Sequence, residues 1–179
     1  MKSNRPIYLS IGTNLGKRTE NLSAALAGLK WFMKIKKISA VYETAPWGPV
    51  QDQPSFYNMC VCGETELEPL EFLDKSKGLE AEIGRLDGLR WGPRLIDIDL
   101  LFYGDVQLVM ERLIIPHKEV TGRAFVLTPL AEIAPDLLHP TLNKSIQTLK
   151  GELPPAEIET VAKLTLLRLN DNDSINPTA

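Results

Sequence analysis

Cysteine is scarce, with only Cys60 and Cys62 in 179 residues. Two are too few for a disulfide scaffold or a structural zinc site. Histidine is equally scarce, and His117 and His139 are not at metal-ligand spacing. No apolar run approaches the ~20 residues of a membrane span, and the opening MKSNRPIYLSIG lacks a stretch long enough for a signal-peptide core. Internal repeats and Gly/Ser linkers are missing. So is an excess of positive charge: 20 Lys+Arg face 23 Asp+Glu, a balance of −3. That excludes the broad basic field of non-specific nucleic-acid binding, so neither nucleic acid nor membrane is expected as a partner. The chain reads as a soluble cytoplasmic protein. With 44% hydrophobic residues it can build one domain with a real core.

Residues 6–11 predict a first strand that ends in the polar turn GTNLGKR. From about Thr19 to Phe32, Leu22, Leu26 and Leu29 recur at helical spacing. Ile35, Ile38, Val41 and Tyr42 lie in a β-rich stretch, and 47–54 (WGPVQDQP) is a loop. Residues 55–63 alternate, placing Phe56, Asn58, Cys60 and Cys62 on one face and Tyr57, Met59 and Val61 on the other. A helix starts near Glu68, with Pro69 in its first turn and Gly84 as its stop. The strand LIDIDLLFYG follows a polar loop, and Gly104-Asp105 predicts a hairpin into VQLVM. Residues 112–123 read as a loop, with helices near 124–133 and 145–150 and a frayed tail. This irregular interleaving favours an α+β sandwich with a mostly antiparallel sheet, compatible with a ferredoxin-like core.

The sharpest feature is Asp97 and Asp99 in IDIDLLF. On a strand they share a face, about 6.5–7 Å apart, while Ile96, Ile98, Leu100 and Phe102 face the core. Like charges so close need a cation, and hard oxygen ligands on a rigid element suit Mg²⁺. The bland alternative is a solvated edge strand whose acids block aggregation. Five of the eight arginines, Arg85, Arg90, Arg94, Arg112 and Arg123, lie between 85 and 123. Arginine grips phosphate oxygens in pairs. Carboxylates for a metal beside arginines for phosphate are what phosphoryl transfer from a nucleotide requires. Surface pairing with Asp87, Glu80 and Glu82 is the competing reading. Trp91, in a polar loop bent by Gly92-Pro93, either covers a ligand or packs back on the domain.

GTNLGKR looks superficially like a phosphate loop, but it has three residues between its glycines and Lys-Arg after them, so it is not Walker A. Neither GxGxxG nor GxSxG occurs. His117, in IPHKE, could donate to a phosphate or be a plain surface residue. Cys60 and Cys62 read as small buried hydrophobes. Phe56 and Asn58 on one face would suit a flat heterocycle, one by stacking and the other by donating and accepting.

Together, IGTNLG, YETAPWG with QDQPSFYN, GR…RWGPRLIDIDLLFYG, RLIIPHKEV and GRAFVLTPLAEIAPDLLHP resemble the pterin pyrophosphokinases of folate biosynthesis over roughly residues 6–140. The resemblance implies a ferredoxin-like αβα sandwich that transfers diphosphate from ATP to 6-hydroxymethyl-7,8-dihydropterin. It implies that Asp97 and Asp99 hold two Mg²⁺ ions and that Arg85 and Arg94 neutralise charge during transfer. Glu80, Trp91, Arg94, Ile98, Arg112, His117 and Arg123 are then expected at ATP. Thr44, Ala45, Trp47, Phe56, Asn58, Trp91 and Phe125 are expected at the pterin, with Phe56 and Phe125 sandwiching the ring. Phe56, Lys118, Asp87, Ala45 and Trp47 depart from the family pattern, Asp87 placing an acid where the family's loop often has a basic residue. One catalytic domain is expected over 1–152, with an extension over 153–179, in a monomer. The alternatives are a D-x-D nucleotide-sugar transferase and a non-catalytic ferredoxin-like binding module.

Overall fold

The computed structural model describes residues 4–86 and 91–164. In chain order its first half contains β1 (Arg5–Thr13), α1 (Arg18–Leu29), β2 (Lys34–Ile38), β3 (Tyr42–Thr44), β4 (Phe56–Thr65) and α2 (Pro69–Ile83). Then come β5 (Asp97–Tyr103), β6 (Leu108–Val109), β7 (Ile114–Ile115) and a 3-10 turn (Val120–Gly122). The chain continues through α3 (Ala124–Ile133), α4 (Ile146–Gly151), α5 (Pro155–Glu159) and β8 (Ala162–Lys163). The sheet order is β5-β1-β4-β3-β8, with β2 also on β4, and every pairing is antiparallel.

Alternation along β4 decides the layering. Met59 and Val61 enter a core with Leu22, Leu26 and Leu29 of α1 and Phe72 and Leu79 of α2. Cys60 enters a second core with Val126, Leu127 and Leu130 of α3 and Ile146 and Leu149 of α4. Helices thus cover both faces, giving the expected αβα sandwich. Phe72 is wholly buried and meets Phe32 edge-on at 5.3 Å, so its truncation would cost ~3–5 kcal/mol. Gly84 does stop α2, in the left-handed region at φ 109°, where its amide donates back to Ala81. Pro129 lies inside α3 without ending it.

Two readings of the β5 region are corrected. The chain turns at Gly104-Asp105, but the following segment leaves the sheet: β6 pairs with β7, Leu108 opposite Ile115, and not with β5. The register of β1 against β5 also shifts, from Tyr8–Phe102 to Leu9–Leu100. Leu101 is the extra residue, and it inverts the alternation beyond it. Ile96, Ile98 and Leu100 enter the α1/α2 core as expected, whereas Phe102 joins Leu101 in the opposite one.

Between residues 153 and 164 the chain goes on as structure, and the frayed end expected beyond lies outside the described residues. In β8, Lys163 lies opposite Tyr42 and its ammonium meets Glu132 at 3.0 Å. Glu132 also accepts from the Tyr42 hydroxyl at 2.8 Å and the Ala40 amide at 3.1 Å.

Candidate active site

Strand register builds the floor of the site. Gly12 of β1 lies opposite Asp97 on one side and Asn58 on the other, and Ser10 lies opposite Asp99 and Cys60. The row Asp97–Gly12–Asn58 crosses three strands on the face that α3 and α4 cover further along. With no side chain at its centre, it leaves a lane between the acid and the amide. Asn58 is buried and donates to Thr44 Oγ1 at 2.8 Å, across the β3–β4 pairing.

A cavity of about 480 Å³ opens above this row. It gathers Arg85, Arg94, Asp97, Asp99, His117 and Arg123 on its charged side. Thr44, Ala45, Trp47, Phe56, Asn58, Trp91 and Phe125 line the remainder. Three aromatic rings stand together: Trp47 is 5.1 Å from Trp91 and 6.3 Å from Phe125. The Arg123 guanidinium lies 4.9 Å from Trp47, within reach of all three. Trp91 thus packs inward rather than standing in solvent, at φ 67°.

The charged side hangs on the free edge of β5. The Ile98 amide donates to Glu80 Oε1 at 2.6 Å, and the Ile98 carbonyl accepts from Lys77 Nζ at 3.2 Å. Side chains of α2 thereby satisfy an edge that would otherwise be open. Lys77 also bonds Glu80 at 2.7 Å, and Arg85 bonds the second Glu80 oxygen. Burial raises the pKa of Glu80, against the pull of Lys77. Arg85 reaches on to Asp97 Oδ1 at 2.6 Å, and Arg94 approaches Oδ2 at 3.3 Å. Burial lowers the Arg85 pKa less than Asp97 and Glu80 raise it, so it ends above its ordinary value.

Asp99 is the less compensated acid. Its nearest cation is Arg123 at 3.8 Å, and among the described residues no hydrogen bond reaches its carboxylate. Burial, with Asp97 beside it, holds its pKa above the carboxylate norm. Burial likewise lowers that of His117 against the opposing charge of Asp99, and lowers that of Arg123. The Arg123 Nε is buried without a partner among the described residues, which leaves a donor for an incoming anion. Two carboxylates on one rigid face, one of them short of partners, are a donor set that fits Mg²⁺.

Three expected ATP residues lie off the cavity wall. Glu80 sits behind Arg85, the Ile98 side chain is in the core, and Arg112 is exposed in a 2.5 Å ion pair with Asp74. Arg90 and Asp87 lie outside the described residues. Ser10, Gly12, Lys77 and Glu119 join the wall without having been singled out from the sequence. Lys77 stands three residues before Glu80 on one helix, a spacing that could have flagged it. Ser10 and Gly12 become site residues only through strand pairing.

A second network shapes the 45–54 loop. Asn14 donates to Gln53 Oε1 and the Pro54 carbonyl, both at 3.0 Å, and accepts from the Arg94 amide at 2.7 Å. Gln53 donates to the Trp91 carbonyl at 2.9 Å. Arg18 donates to Glu43 at 3.0 Å and to the Ser55 carbonyl at 2.9 Å, tying both ends of the loop. The loop with Trp47 and the segment with Trp91 and Arg94 are therefore fixed against each other.

Known proteins bear on this arrangement. A family model described as 7,8-dihydro-6-hydroxymethylpterin-pyrophosphokinase matches residues 8–135. The 2-amino-4-hydroxy-6-hydroxymethyldihydropteridine pyrophosphokinase of Aquifex aeolicus is 40% identical over 146 residues, 82% of this chain and 91% of that protein. The protein of the same name from Methylorubrum extorquens is 43% identical over 156 residues, 86% of this chain and 97% of that one. Wild-type HPPK-DHPS of Plasmodium falciparum, a crystal structure, shares the fold at a TM-score of 0.67 and 20% identity. That match covers 85% of this chain and 45% of the longer one, so the chain spans under half of the solved protein. These matches favour neither a nucleotide-sugar transferase nor a non-catalytic module. With the matched stretch containing the whole cavity wall, the chain belongs to the 7,8-dihydro-6-hydroxymethylpterin-pyrophosphokinase family.

Proposed function

We propose that this cavity transfers the diphosphate of ATP to the hydroxymethyl group of 6-hydroxymethyl-7,8-dihydropterin, releasing AMP, in folate biosynthesis. One observation carries the assignment: the acidic pair with its arginines shares a sheet face with the Asn58–Thr44 pair and the aromatic rings. The pterin occupies the aromatic side. Asn58 donates and accepts at its edge, and Phe56 and Phe125 flank its plane. Triphosphate occupies the side of Arg85, Arg94, His117 and Arg123.

Asp97 and Asp99 would hold Mg²⁺, two ions in this reading, which would supply positive charge to offset the negative charge of the phosphates. The hydroxymethyl oxygen attacks the β-phosphorus, a new O–P bond forms, and the bond to the α-bridging oxygen breaks. AMP leaves with that oxygen, and the hydroxyl proton passes to solvent. A loose transition state needs little help from a base, so positioning and charge do most of the catalysis. The Asn14 and Arg18 networks do the positioning, and Arg85 and Arg94 meet charge on the transferring group. The chain acts as a monomer in the cytoplasm in this reading. Among the described residues no helix is long and apolar enough to cross a membrane.

Product analysis with MgATP and the pterin tests it. AMP forming one-for-one with pterin diphosphate is the expected outcome, and ADP instead would overturn the reaction type.

A further inference from the structure

Both oxygens of Asp97 are already engaged. Arg85 donates to Oδ1 at 2.6 Å, with Lys77 Nζ 3.8 Å from the same atom, and Arg94 lies 3.3 Å from Oδ2. Asp99, two residues on and on the same face, has among the described residues only one cation within 4 Å, Arg123 at 3.8 Å. The acidic pair is thus unequal, one carboxylate having three cations within 4 Å and the other one. A divalent ion bound by both would have to take Asp97 from its guanidiniums in a partly buried setting, where such pairs are weakly screened.

The two arginines differ in what they would lose. Arg85 keeps an acceptor when displaced, because it also donates to buried Glu80. The other Glu80 oxygen is bound by the Ile98 amide at 2.6 Å and Lys77 at 2.7 Å, so Glu80 stays in place. Arg94 has no second acidic partner among the described residues. Its main chain is held at both ends by Asn14, amide to side chain and carbonyl to amide, so only the side chain can swing. Once off Asp97, it needs another anion.

We infer that Arg85 and Arg94 are resident counter-cations of Asp97, which keep a divalent ion off the acidic pair until a polyphosphate arrives to take the guanidiniums. This rests on the reading of the cavity given above. Metal and nucleotide then bind with positive coupling, and each raises the affinity for the other by the same factor. Removing an arginine has opposite effects on two readouts. It weakens turnover, yet it strengthens binding of the bare ion. A unit charge beside a carboxylate shifts proton binding by one to three decades, and the same scale applies to another cation.

The test is titration of the full chain with Mn²⁺ alone, read as the loss of free-ion paramagnetic resonance signal, then repeated with a non-hydrolysable ATP analogue. Arg85→Met is expected to tighten nucleotide-free Mn²⁺ binding about tenfold or more and to shrink the factor by which the analogue improves it. Arg85→Lys, which keeps the charge, should stay nearer wild type. Arg112→Met removes the same charge at the exposed Asp74 pair and should leave Mn²⁺ affinity within about twofold. Arg94→Met provides an independent variant should Arg85→Met fail to fold. Wild-type product analysis runs alongside. If wild type makes AMP while neither methionine variant binds bare Mn²⁺ more tightly, the counter-cation inference is overturned and the assigned reaction stands. If the variants tighten Mn²⁺ binding while wild type makes no AMP, the ion-pair exchange stands and the assigned reaction falls.

Discussion

Gly12 offers the most direct test of how the site is built, because a single methyl group there reaches one half of the cavity only. A Cβ at this position would lie 2.9 Å from Asn58 Oδ1 and 3.9 Å from Phe56 Cδ1. The first distance is closer than side chains tolerate, so Asn58 must give way by a few tenths of an ångström. It is 4% exposed and its amide donates to Thr44 at 2.8 Å, so it has little room to do so. Overpacking of this kind costs ~1–3 kcal/mol. At ~2–4 °C per kcal/mol for a chain of this size, Gly12→Ala should lower Tm by about 2–12 °C. The functional effect is more specific. A displaced Asn58 would lose the hydrogen bonds proposed for it at the heterocycle edge, worth ~1.4–2.8 kcal/mol, so the pterin Kd should rise about 10–100-fold. MgATP should bind within about threefold of wild type, because its arginines lie across the row. Fluorescence titration of the pterin, with and without an ATP analogue, measures both numbers. Equal pterin affinity in Gly12→Ala and wild type, at unchanged Tm, would refute the role given to the Asp97–Gly12–Asn58 row.

Asp97→Asn and Asp99→Asn should each cut kcat by at least ~10²-fold, since several kcal/mol of charge stabilisation would rest on the metal proposed for them; undiminished turnover at millimolar Mg²⁺ would remove that role. The Glu43 carboxyl is held below its ordinary 4.5, first by its bond from Ser55 and then by that from Arg18. Its stabilisation is therefore complete above 4.5 and fades as pH falls through the lower folded value. A Tm–pH profile for Glu43→Gln should lose that part of its acid slope, and an unchanged slope would count against the Arg18–Glu43 tie. Glu132→Ala strands the Ala40 amide and the Tyr42 hydroxyl and frees Lys163, which should cost ~1–2 kcal/mol, or about 2–8 °C in Tm. Lys163→Ala alone should cost under ~1 kcal/mol, as exposed pairs do, and a larger loss than in Glu132→Ala would reverse the assignment.

How far the fold could be read from sequence depended on how locally each feature is encoded. The faces of β4 were legible because alternation is a local property: Met59 and Val61 go one way, Asn58 and Cys60 the other. The bulge at Leu101 was not, since it exists only in the register against β1, and Phe102 was assigned to the wrong core for that reason. Gly104-Asp105 did predict a turn, but a turn residue does not choose its partner strand. Part of the charged side of the candidate site was legible because Arg85, Arg94, Asp97 and Asp99 are recognisable residue types close in sequence. Ser10 and Gly12 carry no such chemistry and matter only through what β1 sets beside them. Glu80 shows a different gap. Its acid is visible in the sequence, but nothing there places its carboxylate against the edge of β5.

The placement of the tryptophans has an optical consequence. Trp47 and Trp91 stand 5.1 Å apart in the cavity, while Trp31, the only other indole in the chain, is 90% exposed beyond the end of α1. The emission of this protein is therefore a sum of two populations, one fully open to collisional quenchers such as iodide and one only partly shielded, Trp47 being 39% exposed. Trp31→Phe would remove the first and leave an intrinsic signal that comes from the cavity alone, so ligand occupancy could be followed in the unlabelled chain.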